Sequence, residues 1–259
     1  MPRYFVEVSY KGTRYSGFQV QDNAPTIQSE IEKALYVKFR QHFQLTGSSR
    51  TDSGVHALQN YFHFDSATEL ISDDLITKND IEKRILYSLN SILPGDIVIR
   101  RIVKVSDKLH SRFDAISREY KYYIYHQKNP FYRETAFFYP YKINLLKLRE
   151  AAAIIYETTD FKSFSKRNTQ VNNFICTILK SEWIEEGDFL IYNVVANRFL
   201  RGMVKGLVGT MLKVGSGKID SDEFIKIIKI NNCSRVDFSV PPHALFLIKV
   251  EYSGDSMIA

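Results

Sequence analysis

The 259-residue sequence predicts an α+β fold built from two related halves. Three observations predict it. Apolar residues alternate in short runs that read as half-buried strands, and they recur at helical spacing in longer runs. The two kinds of run follow the order β, α, β, β, α, β in the first half. The second half repeats that order with one extra helix.

The first half opens with Tyr4, Val6, Val8 and Tyr10 alternating with Phe5, Glu7 and Ser9, a strand with one more polar face. A loop holding Lys11-Gly12 and Gly17 follows. Thr26 then stands where it can cap a helix with the apolar face Ile27, Ile31, Ala34 and Leu35. A short strand is expected near Phe43-Gln44-Leu45 and a longer one over Asn60 to Asp65. A second helix is expected from near Asn79, burying Ile81, Ile85, Leu86 and Leu89. Pro94-Gly95-Asp96 is a turn signal, and Ile97 to Val105 reads as a buried strand. This βαββαβ order is ferredoxin-like.

In the second half, Glu119 to His126 reads as a tyrosine-rich strand and Leu145 to Tyr156 as a helix. Asn173 to Glu185 and Phe189 to Ala196 form an expected hairpin across Glu186-Gly187-Asp188. Helices over Arg198 to Val214 and Asp220 to Ile230 precede a closing strand, Ala244 to Tyr252. No low-complexity linker divides the halves. The seam is expected near Ser106 to Arg112, giving domains 1–105 and 106–259 that pack rigidly about a cleft.

Composition narrows the function classes. Lys and Arg number 35 against 29 Asp and Glu, and the formal charge of +6 suits a polyanionic partner without requiring one. The 16 Tyr and 18 Phe supply nearly all of a 14% aromatic share, enough to fill a core and still leave rings for unpaired bases. Two cysteines without a CxxC argue against a disulfide framework and a cysteine zinc site. The N-terminus lacks the apolar core of a signal peptide and no stretch has membrane-spanning length, so a cytoplasmic protein is expected. No GxGxxG follows a strand and no GxxxxGK[ST] occurs, which removes support from nucleotide-cofactor readings.

Four stretches carry candidate chemistry. Gly47-Ser48-Ser49-Arg50-Thr51-Asp52-Ser53-Gly54-Val55-His56 reads first as a solvated turn in which Asp52 bonds its own backbone. A hydrolase elbow fails, because it needs Gly-x-Ser-x-Gly and Thr51 stands two residues after Ser49. Asp52, His56 and His63 lack a metal-ligand spacing, and His63, between Phe62 and Phe64, reads as a strand residue. In Arg198 to Gly209, a helix would align Arg198, Arg201 and Lys205 as one basic stripe. Gly202, Gly206 and Gly209 would form a bare stripe, and glycine costs about 1 kcal/mol in a helix interior, so close packing or a ligand is expected there. Ser117 to Tyr125 interleaves tyrosines with basic residues, as a sheet or as a base-holding surface. Lys11 to Gln21 gathers Lys11, Arg14, Tyr15, Phe18, Gln19 and Gln21 in one loop, either plain surface or an RNA contact.

At these residues the sequence resembles the tRNA pseudouridine synthase A family. The resemblance runs through nearly the whole chain: Tyr10-Lys11-Gly12 with Gly17-Phe18-Gln19-Val20-Gln21, Arg50 to His56, Leu93-Pro94-Gly95-Asp96, His110 to Ala115, Arg118 to Tyr122 and Phe199 to Gly209. It implies the pseudouridine synthase fold, a mainly antiparallel central sheet made from two similar halves. It implies a homodimer holding one tRNA across both subunits, action on uridines at positions 38, 39 and 40 of the anticodon stem-loop, and no metal or organic cofactor. Asp52 falls on the family's nucleophile and Tyr120 on its active-site tyrosine. Lys205 falls where the family usually has arginine, and lysine keeps the charge but loses the bidentate fork. Phe18 stands for the more usual tryptophan.

On that resemblance the expected catalytic set is Asp52, Tyr120, Lys205 and Arg50. Lys205 keeps the aspartate ionised, Arg50 fills the space of a flipped nucleotide or holds its phosphate, and Tyr120 stacks on the base. Lys11, Arg14, Phe18, Gln19, His56, Arg198 and Arg201, with Tyr120, form the expected substrate-binding set. Attack at C6, attack at C1′ and assistance to elimination are all open to the carboxylate. The rival class is a non-catalytic RNA-binding module of RRM type, but its Lys/Arg-Gly-Phe/Tyr-Gly/Ala-Phe-Val signature is absent.

Overall fold

The computed structural model describes residues 1–71, 75–166 and 171–253. It is an α+β protein with mostly antiparallel strand pairing and, among the described residues, five α-helices. The chain gathers into two compact units, Met1–Ile116 with the stretch from Leu247 onward, and Ser117–Phe246.

In the first unit, β1 (Arg3–Tyr10) pairs antiparallel with β3 (His56–Asp65) on one side and β4 (Ile97–Val105) on the other. β2 (Thr46–Gly47) joins β3 with Thr46 opposite His63 and Gly47 opposite Phe62. Tyr4, Val6 and Val8 are fully buried, and Tyr4 stacks on Phe64. The opposite face of β1 is less polar than its pattern suggests. Phe5 is also buried, stacked on His63 and edge-on to Tyr252.

Helix α1 (Ile27–Phe39) starts where its cap dictates. Thr26 accepts from Ser29 N–H and Ser29 Oγ accepts from Thr26 N–H, a reciprocal capping box. Its buried residues are Ile27, Ile31, Ala34 and Leu35, the expected apolar face. Each buried aliphatic side chain of Ile or Leu size contributes about 1.5–3 kcal/mol of transfer free energy. Helix α2 (Leu75–Ile92) begins before Asn79, and buries Ile85 and Leu89 while Ile81 and Leu86 are only partly covered.

Two strand positions differ from expectation. The stretch Phe43-Gln44-Leu45 is not a strand, and β2 comes directly after it. Phe43 and Leu45 are buried, Phe43 against Phe64, so their alternation reflects core filling by a loop. β3 begins at His56 rather than Asn60, carrying the strand back to the end of the Asp52 loop.

In the second unit, β5 (Ala115–Tyr125) pairs antiparallel with β8 (Phe189–Ala196), from Arg118 opposite Ala196 to Tyr125 opposite Phe189. β7 (Ile178–Glu186) pairs with β8 across the two-residue loop Gly187-Asp188. Residues 173–177 add only an isolated bridge from Ile175 to Asp160. β6 (Phe137–Phe138) adds a short parallel pair to β5. Helices α3 (Leu145–Glu157) and α5 (Ser221–Lys229) are capped by Asn144 and Asp220. The closing strand β9 (Leu245–Tyr252), which from Leu247 on belongs to the first unit, lies beside β3 in strand order.

Helix α4 (Met203–Gly215) corrects the reading of Arg198 to Val214 as one helix. Gly202 sits at φ +72°, a left-handed conformation that ends any helical path through it. Arg198 and Arg201 precede the helix, so they share no helical stripe with Lys205. The remaining glycines are explained by packing. A Cβ on Gly209 would lie 2.2 Å from the Asp237 carbonyl oxygen, and one on Gly206 2.8 Å from Val236 and Phe238.

No helix among the described residues is long and apolar enough to cross a membrane. Cys176 and Cys233 are free thiols.

Candidate active site

The Asp52 loop connects β2 to β3, and its shape is written by the main chain. Val55 N–H donates to the Asp52 carbonyl at 3.2 Å, closing a turn over Ser53 and Gly54. Gly54, third in the turn, takes φ +77°, a left-handed conformation that glycine adopts without a Cβ penalty. The expected Asx-turn through the carboxylate is therefore absent. Among the described residues the half-buried Asp52 carboxylate takes no hydrogen bond and no ion pair.

Neighbouring segments hold this loop from several sides. Phe18 N–H donates to the Thr51 carbonyl at 3.1 Å, and Gly54 N–H to the Tyr15 carbonyl at 3.3 Å. Ser53 Oγ also donates to the Tyr15 carbonyl. Gly12 N–H donates to His56 Nδ1 at 2.9 Å, and a Cβ on Gly12 would lie 2.0 Å from the Val55 carbonyl oxygen. The opening loop and the Asp52 loop thus meet backbone to backbone.

Beneath the loop runs a buried polar network. Asn60, fully buried on β3, donates through Nδ2 to the Ser49 carbonyl at 3.0 Å and to Tyr10 Oη at 3.1 Å. Its Oδ1 accepts from Ser48 Oγ at 2.8 Å and from Tyr61 N–H at 2.9 Å. Tyr10 Oη also bonds Thr51 Oγ1. Burial pushes the Tyr10 phenol far above its usual range, so it stays protonated. Ser49 Oγ is buried with no partner among the described residues. Sequence reading missed Tyr10 and Asn60 as parts of the site. Tyr10 stands in a block that carries the resemblance, and the signal at Asn60 is a polar group at a buried strand position.

The other expected residues of this unit have distinct surroundings. Arg50, Lys11 and Gln19 are exposed. Arg14 is bonded through Nε and Nη2 to Asp96 Oδ2, at 2.9 and 2.6 Å. Burial draws the Asp96 carboxyl upward, but bonds from Tyr15 and Arg14 outweigh it and hold the group below the usual carboxylate range. Phe18 is 1% exposed, its ring lying under Gly47. His56 is buried, and His63 is packed within the unit, 2.8 Å from Ser111 Oγ.

In the second unit, Tyr120 on β5 is 9% exposed and meets the Phe199 ring edge-on at 5.0 Å. Arg118, two residues earlier, is buried and donates to the Asn197 carbonyl at 2.7 Å. That bond ties β5 to the segment leading into α4. Lys205 lies in the first turn of α4 and is partly exposed, as is Arg198, while Arg201 is exposed. Lys166 packs its stem against Gly202, and its N–H donates to the Arg201 carbonyl. Among the described residues no group of three or more His, Cys, Asp or Glu side chains is arranged to hold a metal.

A family profile described as tRNA pseudouridine synthase matches residues 152–253. The chain is 42% identical over 252 residues to the tRNA pseudouridine synthase A of Azobacteroides pseudotrichonymphae genomovar. CFP2, covering 97% of each. It is 40% identical over 251 residues to the protein of that name from Bacteroides fragilis, covering 96% of each. The Bacillus subtilis (strain 168) protein of that name is 35% identical over 251 residues, 95% of this chain and 98% of its own. The enzyme class is thus that of the pseudouridine synthases, which are isomerases. The chain belongs to the tRNA pseudouridine synthase A family.

Proposed function

We propose that this chain converts uridine to pseudouridine in tRNA, at positions 38, 39 and 40 of the anticodon stem-loop, with Asp52 as nucleophile. One observation carries the reading. Asp52 presents a carboxylate with no partner among the described residues, on a loop whose backbone is tied down on several sides. An acid kept out of the structural bonding is an acid available for chemistry.

The reaction breaks the bond from ribose C1′ to base N1 and makes one from C1′ to C5. The hydrogen on C5 leaves as a proton, N1 gains one, and nothing is oxidised. The uridine must leave its stack to be reached. Arg50, exposed beside Asp52, fills the vacated space or holds the flipped nucleotide's phosphate. Tyr120 and Lys205 serve the same uridine, the ring stacking on the base and the ammonium supplying a cation to the reaction. Lys11, Arg14, Gln19, Arg198 and Arg201 contact the RNA backbone, so affinity falls with salt. Phe18 and His56 act from beneath by holding the loops. We read the two units as related ferredoxin-like halves and the working form as a cytoplasmic homodimer.

Tritium release from tRNA carrying 5-tritiated uridine tests the reading. Release by the wild-type chain and none by Asp52→Asn is expected. Full release by Asp52→Asn removes Asp52 as nucleophile, and tRNA binding without release by the wild-type chain makes it an RNA-binding module instead. Lys205→Ala should slow turnover more than it weakens binding, and the reverse makes Lys205 a phosphate contact.

A further inference from the structure

The segment His110 to Ala115 carries an exposed aromatic ring on a rigid mount. Phe113 is 75% exposed. Its ring lies 4.3 Å from the His110 ring at 35°, and the Arg112 guanidinium stands 5.8 Å from its centroid. The loop under it is closed by its own bonds. His110 N–H donates to Asp114 Oδ2 at 2.7 Å, and Asp114 N–H donates back to the His110 carbonyl at 3.1 Å. His110 Nδ1 accepts from the N–H groups of Arg112 and Phe113, at 3.1 and 3.3 Å. The His110 ring rests edge-on against buried His63.

The mount is also fastened to the strand that feeds the Asp52 loop. Ser111 is fully buried, and its Oγ donates to the Thr46 carbonyl at 2.7 Å. Tyr252 Oη donates to the Ser111 carbonyl at 2.8 Å. Thr46 begins β2, six residues before Asp52. Other aromatics are as exposed, Phe131 at 87% and Tyr87 at 78%, but among the described residues neither has a ring or a cation against it.

A largely solvated phenyl, with an imidazole tilted beside it and a guanidinium over the ring, matches what an unpaired base in a polyanionic strand requires. The ring offers a π-face to any base, and positive charge near it favours a polyanionic strand. We infer that Phe113, set by His110 and Arg112, is a stacking platform for an unpaired base flanking the target uridine. The inference rests on the RNA-isomerase reading above and adds a binding element to it.

The test compares Phe113→Leu, Phe113→Ala, Phe113→Tyr and Phe113→Trp in the full chain. Tritium release over a range of tRNA concentrations gives KM and kcat, filter binding gives affinity, and light scattering gives the oligomeric state. The platform predicts that Leu and Ala weaken tRNA affinity and raise KM about tenfold. Tyr and Trp should stay within about twofold of wild type, because they keep the stacking face. All four should melt near the wild-type temperature, since the ring is solvent-exposed. Wild-type affinity in Phe113→Leu overturns the platform while leaving the isomerase reading intact. A changed oligomeric state with unchanged tRNA affinity assigns the ring to a protein contact and also overturns it. Absence of tritium release by the wild-type chain overturns the isomerase reading and the platform with it.

Discussion

The Tyr10 hydroxyl lies 2.8 Å from Thr51 Oγ1, so strand β1 grips the residue directly before Asp52. Asn60 completes the grip from β3 by donating to the same phenol. Tyr10→Phe leaves the ring in place and removes only the oxygen. Two buried polar groups then lose a partner, at about 1–3 kcal/mol of stability. Urea denaturation should show that loss, and single-turnover tritium release should slow while tRNA affinity holds. An unchanged rate would mean that the Asp52 loop keeps its position without this link.

Asp52→Asn should leave stability within about 0.5 kcal/mol of wild type, because the carboxylate takes no bond from the described residues. Thermal melts of the two proteins in one buffer check this. A fall of several degrees would show that the carboxylate bears on the fold.

Gly12→Ala should be severe for a residue so small. The added methyl would stand 2.0 Å from the Val55 carbonyl oxygen, closer than real contacts permit, so one backbone must move. The loss should be at least about 2 kcal/mol in urea denaturation, as for overpacking elsewhere. Activity should fall with it, since Val55 closes the turn that starts at Asp52. Gly95→Ala, where a Cβ would meet nothing within 4 Å, is the matched control.

Acid should weaken the first unit through His63. Burial, then the Arg3 and His110 charges, lower its pKa from 6.5 to about 4 against a smaller opposing pull from Asp65. The folded state favours neutral imidazole, so this contribution is complete above pH 6.5 and is lost as pH falls toward 4. His110 shifts in the same direction, again chiefly by burial. Urea midpoints should drop over that interval by an amount worth about 1–2 kcal/mol, allowing for solvent screening. His63→Gln should flatten the profile, and an equally steep profile in that variant would assign the acid sensitivity elsewhere.

Local signals carried most of what the sequence revealed. Helix α1 was legible because its cap, Thr26, and its apolar face lie within one short stretch. The bounds of β4 were legible because Pro94-Gly95-Asp96 punctuates its start. Strand β2 was not legible, since two residues become a strand only by meeting His63 and Phe62. The start of α4 was misplaced because an apolar pattern does not report the left-handed backbone of Gly202. The candidate site divides the same way. Asp52 and its loop stand out as a motif, whereas Tyr10 and Asn60 reach it from 41 residues before Thr51 and 11 residues after Ser49.

The turn at Asp52 is closed by main-chain groups, and its tethers run through main-chain atoms of Thr51 and Gly54 and through the Thr51 and Ser53 hydroxyls, none of them through the side chains at 50 or 52. Its geometry therefore does not depend on which side chain occupies position 50 or 52. Such a scaffold separates form from reactivity. Substitution at those two positions can explore new chemistries while the loop keeps its course, which makes the segment a natural starting point for re-tasking the protein by directed evolution.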